Sequence, residues 1–203
     1  QREDLLAELL LLQNSAPADT AVRRRLGHLF IAAGSAARAT DIFRELLARD
    51  PNDADARGGL GTAEFAQGNY RSAEAELLRA VRIAPGDTGL RSALERVSEV
   101  RALDPLERGL SRAERRRRSR NVLAMVLQAV DSCPGVASAV PVRAEADSAR
   151  AELLQTDALA AAGDGSRLLD RADVLWAALK GTCHRDDGAP ETPLELVLHK
   201  MSD

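Results

Sequence analysis

From Thr20 to Asp87 the large apolar side chains fall at helical spacings, and the whole pattern of large, small and turn-forming residues is written twice, 34 residues apart. Leu26, Gly27, Phe30, Gly34, Ala39, Phe43 and Pro51 are answered by Leu60, Gly61, Glu64, Gly68, Ala73, Leu77 and Pro85, with only Glu64 breaking the chemistry. Leu26 with Phe30, and Leu60 one unit later, form the inner stripe of a first helix, and Phe43 and Leu77 that of a second. Gly27, Ala39, Gly61 and Ala73 are small where the two helices of a hairpin must approach closely. Gly34 and Gly68 follow the first helix of each pair, where a left-handed residue ends a helix at least cost. Pro17 with Asp19, Pro51 with Asp53 and Pro85 with Asp87 keep the same register: proline stops one helix and the aspartate two residues on caps the next.

A 34-residue period with this order of small, large and proline positions resembles the tetratricopeptide repeat (TPR), a pair of antiparallel helices stacked into a solenoid. The resemblance implies two full repeats, 20–53 and 54–87, preceded by a half repeat. Arg2 to Leu12 fills the second-helix slot of that half repeat, with Leu5, Leu9 and Leu12 as its inward stripe. Leu6, Leu10 and Leu11 then point away and are candidates for docking onto a partner. A helix opening at Asp87 and Thr88, with Leu90, Leu94, Val97 and Val100, reads as a cap, since Glu95 and Ser98 make its stacking face polar. Leu103, Asp104 and Pro105 mark a boundary. The expected organisation is therefore all-α, with a short TPR array over 1–103 and a small helical bundle over 104–203.

The bundle shows no repeat. Ser111 and Glu114 form a capping-box pattern ahead of a long helix to about Asp131, basic in its first half and apolar in its second. Cys133, Pro134 and Gly135 end it. A second helix runs from Pro141 to about Ala162, a turn follows at Gly163 to Ser166, and a third spans Arg167 to about Lys180 with Leu168, Leu169, Val174, Leu175 and Trp176. Thr192, Pro193 and Glu195 announce a fourth. Up, down, up connectivity makes the first and third helices parallel and brings Cys133 and Cys183 to one side, so a disulfide between them is expected.

Composition narrows the function. Aromatic residues are 2% and charged residues 29% of the 203, which suits helices far better than sheets. The net charge is −3, and of the 28 basic residues only Lys180 and Lys200 are lysine. Arg112, Arg115, Arg116, Arg117, Arg118 and Arg120 form either a solvated helix face or a docking face for protein carboxylates or anionic lipid headgroups. At 100° per residue they cannot all point one way, so at least one lies near the core or a partner. Nucleic acid is disfavoured by the negative charge and by the lack of aromatics among these arginines. No apolar run reaches the length of a membrane span.

Catalytic and cofactor signatures are absent from the sequence: no nucleophile elbow, phosphate-cradling glycine loop or paired-histidine motif. Lys180 stands where haem attachment would need a cysteine, and Cys133, Cys183 and His184 make no four-ligand zinc set. Gly58, Gly59 and Gly61 are either tolerated helix weaknesses or an open patch.

TPR arrays are similar in acting as adaptor surfaces without chemistry of their own. The resemblance thus implies a non-catalytic scaffold or accessory subunit that binds other protein subunits, with no cofactor and no small-molecule substrate. Arg24, His28, Thr62, Phe65 and Arg96, on the first helices, are its candidate contact residues. Where some TPR domains grip C-terminal carboxylates with Lys, Arg and Asn side chains on the first helices, the matching positions here are Arg24, His28 and Thr62, one cation and no asparagine, so that clamp is not expected. The alternative function is an enzyme-associated domain with a ligand pocket between the two halves. A start at Gln1 in place of Met fits removal of a secretory signal, which with a disulfide points outside the cytoplasm, to periplasm or exterior, and to a membrane-attached envelope complex. A cytoplasmic location is the alternative.

Overall fold

The computed structural model describes residues 2–15, 19–137, 139–155, 164–183 and 191–202. Among them every regular element is an α-helix. The chain divides into two compact units, Gln1–Arg101 and Ala102–Asp203.

The first unit contains α1 (Arg2–Ser15), α2 (Thr20–Ala32), α3 (Ala36–Arg49), α4 (Ala54–Ala66), α5 (Tyr70–Ile83) and α6 (Thr88–Leu103). Each first helix opens on an aspartate cap. Asp19 accepts from the backbone N–H of Ala21 and Val22, Asp53 from Ala56, and Asp87 from Leu90, at 2.7 to 3.2 Å. The two hairpin turns are copies of each other. Gly34 and Gly68 both sit at φ 74°, and the next N–H, of Ser35 or Asn69, donates back to the carbonyl of Phe30 or Glu64.

Helices α1 to α5 pack in sequence, α2 also lies beside α4, and α6 meets α5 through Val97 against Ala73 and Leu77. Phe43, fully buried, is the hub of the first repeat. A Cβ placed on Gly27 would lie 2.7 Å from its ring, and one on Gly59, from the next unit, 2.3 Å. Gly61 approaches Leu77 in the same way, and Gly58 approaches Leu90. These glycines are therefore contact points filled by neighbours, and the open-patch expectation is corrected. Glu64, where the first unit has Phe30, is buried with its carboxylate partnered: Arg44 and Asn69 each donate to it at 2.9 Å.

On α1 the inward stripe differs from expectation. Leu9 is buried, and Leu6 and Leu10 pack half-buried against the same core cluster, whereas Leu12 is 51% and Leu11 71% exposed. Leu6, Leu9 and Leu10 share one face at spacings of three and four, so the face that meets α2 is rotated from the one anticipated. Of the three leucines proposed to point outward, only Leu11 does. The Leu5 side chain and Pro17 lie outside the described residues.

The second unit holds α7 (Arg112–Asp131), α8 (Pro134–Ala137), α9 (Val140–Gln155), α10 (Ser166–Cys183) and α11 (Pro193–Ser202). Its core is Val122, Leu123, Val126 and Leu127 of α7 against Leu168, Leu175 and Trp176 of α10, with Leu198 of α11 also buried. Gly165, at φ 92°, lets the chain pass α7 closely: a Cβ there would lie 2.6 Å from the Ser119 hydroxyl. Val174 is exposed on α10, outside the apolar stripe assigned to it from sequence. The far end expected for the second helix of this half, and Gly163, lie outside the described residues, while the rest of the expected turn is seen ahead of α10, where the Ser166 N–H donates to Asp164 at 3.1 Å. The short α8 was not anticipated, because four residues are too few to show a period.

Cys133, just past α7, and Cys183, the last residue of α10, are joined by a disulfide with a Cα separation of 6.1 Å. The parallel placement of the two helix ends accounts for it.

Candidate protein-interaction surface

The first helices α2, α4 and α6 carry the five candidate contact residues. Arg24 and His28, one turn apart on α2, converge on the start of α4. Arg24 donates to Asp53 Oδ2 at 2.7 Å and lies 3.2 Å from Asp55, while His28 Nε2 is 3.4 Å from Asp55 Oδ1. The hydrogen bond to Asp53, partly opposed by burial, raises the Arg24 pKa further above its usual value. Burial pushes Asp53 up, but the Ala56 N–H and the Arg24 guanidinium outweigh it and hold the carboxyl below its ordinary range. The His28 ring also stands edge-on to Phe43, with centroids 5.1 Å apart.

At the other end of α4, Phe65 leans on Tyr70, 5.4 Å between centroids, and the Arg96 guanidinium of α6 sits 5.8 Å from the Phe65 centroid. Thr62 is half-buried and returns its hydroxyl to the Gly58 carbonyl at 2.9 Å. Two pairs are thus brought together, Arg24 with His28 and Phe65 with Arg96. Sequence reasoning missed Asp53 and Asp55 as their electrostatic complement. The signal available was Asp55, two residues beyond an N-cap and close to two cations one helix away.

The arginine series of α7 does not form one basic face. Arg117 and Arg118 both donate to Glu114, and Arg118, with a side chain only 14% exposed, also donates to Glu107 at 3.0 Å and to the Asp104 carbonyl at 3.0 Å. Arg118 is therefore the inward member that helical geometry requires. Arg115 lies 3.7 Å from Asp164. Arg116 and Arg120 are half-buried, and Arg112 and Arg117 are exposed. Asp104, itself buried, takes Lys200 of α11 at 2.7 Å. Internal carboxylates thus offset much of the positive charge that a docking face for anions would need.

Among the described residues no group of His, Cys, Asp and Glu is arranged to hold a metal ion. His184 lies outside them. No described helix is long and apolar enough to cross a membrane.

Comparison with known families agrees with the first unit. The tetratricopeptide repeat family model matches residues 30–97, the span from the end of α2 through most of α6. That region is TPR-like. No curated protein matches the chain.

Proposed function

We propose that this protein is a non-catalytic adaptor, an accessory subunit of a larger protein assembly, in which a short TPR array of two repeats, a half repeat and a capping helix is joined to a helical bundle. The observation that carries the reading is the row on α2, α4 and α6. Arg24, Thr62, Phe65 and Arg96 are half-buried and His28 is exposed, while the repeat positions around them are core. Such a surface is partly apolar with polar groups at its edges, which suits a protein segment laid across it. Because Asp53 and Asp55 offset the charge of Arg24, its complement is a mixed polar and apolar segment and not a bare carboxylate.

The disulfide supports an oxidising compartment, and with it an envelope complex as the setting. The experiment is affinity purification from native cells of the wild-type chain beside Arg24→Glu and Phe65→Ala, with folding checked by circular dichroism. Loss of a discrete co-purifying protein in both variants is expected. Retention of the same partner by both would remove the first-helix surface as its binding site.

A further inference from the structure

The helices of the second unit are held in it by different forces. Large apolar side chains seat α7 through Val122, Leu123, Val126, Leu127 and Val130, and seat α10 through Leu168, Leu169, Leu175, Trp176 and Leu179. No such stripe anchors α9. On its inward face, where Val142, Glu145, Ala146, Ala149, Glu152 and Leu153 recur at spacings of three and four, only the two alanines are buried, at 1% and 0% exposure. The other four are half-buried, and Val140 and Leu154 of the same helix are 76% and 78% exposed. Two methyl groups remove little apolar surface from water. Charge supplies the rest of the attachment. Arg171 of α10 donates to both Glu145 and Glu152 of α9 at 2.5 Å, and Arg167 lies 3.6 Å from Glu152. Arg150 of α9 donates to Asp131 of α7 at 2.5 Å. Solvent reaches these groups, since the side chains of Glu145, Arg150 and Asp131 are 34%, 38% and 64% exposed.

We propose that α9 is a strap latched by charge, which leaves and regains its seat on α7 and α10 as one unit while those two helices stay packed. The apolar seam between α7 and α10, and the disulfide that joins their ends, do not depend on α9. Its departure therefore opens the flank that Ala146 and Ala149 cover without unfolding the rest of the unit. Exposed ion pairs are screened by salt, whereas burial of apolar surface is not, so ionic strength sets how far the strap is open. High salt favours the open form. This device is separate from the row of Arg24, His28, Thr62, Phe65 and Arg96, so either can fail without the other.

The test is native-state hydrogen exchange of the full, oxidised chain, read by mass spectrometry as protection factors in roughly 0.05 M and 0.5 M sodium chloride. Amides in the middle of α9, 144–151, are expected to share one protection factor, about tenfold or more below those of 122–130 in α7 and 168–179 in α10. At the higher salt that gap should widen by about threefold or more. Glu145→Gln with Glu152→Gln, which keeps the size of both side chains, should lower α9 protection by about fivefold or more at low salt and reduce the salt response, with α7 and α10 unchanged. Asp147→Asn is the control: its carboxylate bonds to Arg150 within α9, and the salt response should persist. The salt response of the wild-type chain needs no substitution, so it decides the matter if the double variant disturbs folding. Protection of α9 equal to that of α7 and α10, or a gap that salt leaves unchanged, would overturn the proposal.

Discussion

Two glycines adjacent in sequence do different work, and they separate the effect of helix propensity from that of packing. A Cβ at Gly59 would strike the Phe43 ring at 2.3 Å, and that ring is already held against Gly27. At Gly58 it would meet the end of the half-buried Leu90 side chain, which can turn aside. Alanine gains about 1 kcal/mol of helix propensity at either position. Gly59→Ala is therefore expected to destabilise by about 1 to 3 kcal/mol net of that gain, and Gly58→Ala to be near neutral, measured by urea denaturation. Equal effects would show that the Phe43 contact is not what sets glycine there. Glu64→Ala should cost about 1 to 3 kcal/mol by leaving Asn69 and Arg44 without their acceptor, toward the lower end because Arg44 is largely solvated. This residue was legible only as an oddity, since its partners come from two other places in the chain.

Helix caps and turns could be read from sequence because their chemistry is local: a positive φ asks for glycine and an unpaired N–H asks for aspartate. The rotation of a helix about its axis could not. Leu5, Leu9 and Leu12 and the set Leu6, Leu9 and Leu10 are both helical stripes, and only the shape of α2 selects between them. For the same reason sequence requires one inward arginine on α7 but leaves open that it is Arg118, whose partners Asp104 and Glu107 lie in the segment before the helix. The start of α7 carries a pH signature. Hydrogen bonds from Arg117 and then Arg118 lower the Glu114 pKa from 4.5 to about 2. A depressed carboxyl contributes stability that is fully present above its unfolded pKa and is lost as pH falls through the folded one. Comparison of wild type with Glu114→Gln by thermal melting should show a deficit in the variant at neutral pH that narrows between about pH 4.5 and 2. A deficit independent of pH would contradict the assignment.

For the molecule as a whole, the two units were legible to different degrees. The first is a repeat, so each position is tested against its counterpart, and the fold follows from few residues. The second has no internal copy. Its helices follow from caps and prolines, yet Val174 and the short α8 depend on packing that no local pattern encodes. The disulfide was legible because up, down, up topology is a global constraint simple enough to apply by hand. Closing a loop with 50 residues of separation corresponds to about 4 kcal/mol in the chain-entropy model. Reduction, or Cys133→Ser with Cys183→Ser, should lower the unfolding free energy of the second unit by up to about that amount in guanidinium titrations. Denaturation insensitive to reductant would show that the bond contributes nothing to stability.

The central claim is that the first helices of the repeats form the surface through which this protein holds a partner. Site-specific photo-crosslinking in native cells tests it most directly, with the crosslinker placed at Thr62 on α4 and, as control, at the exposed Ala75 on α5. The account predicts a discrete covalent adduct with another protein from position 62 and none from position 75. Adducts from position 75 with none from 62 would contradict it.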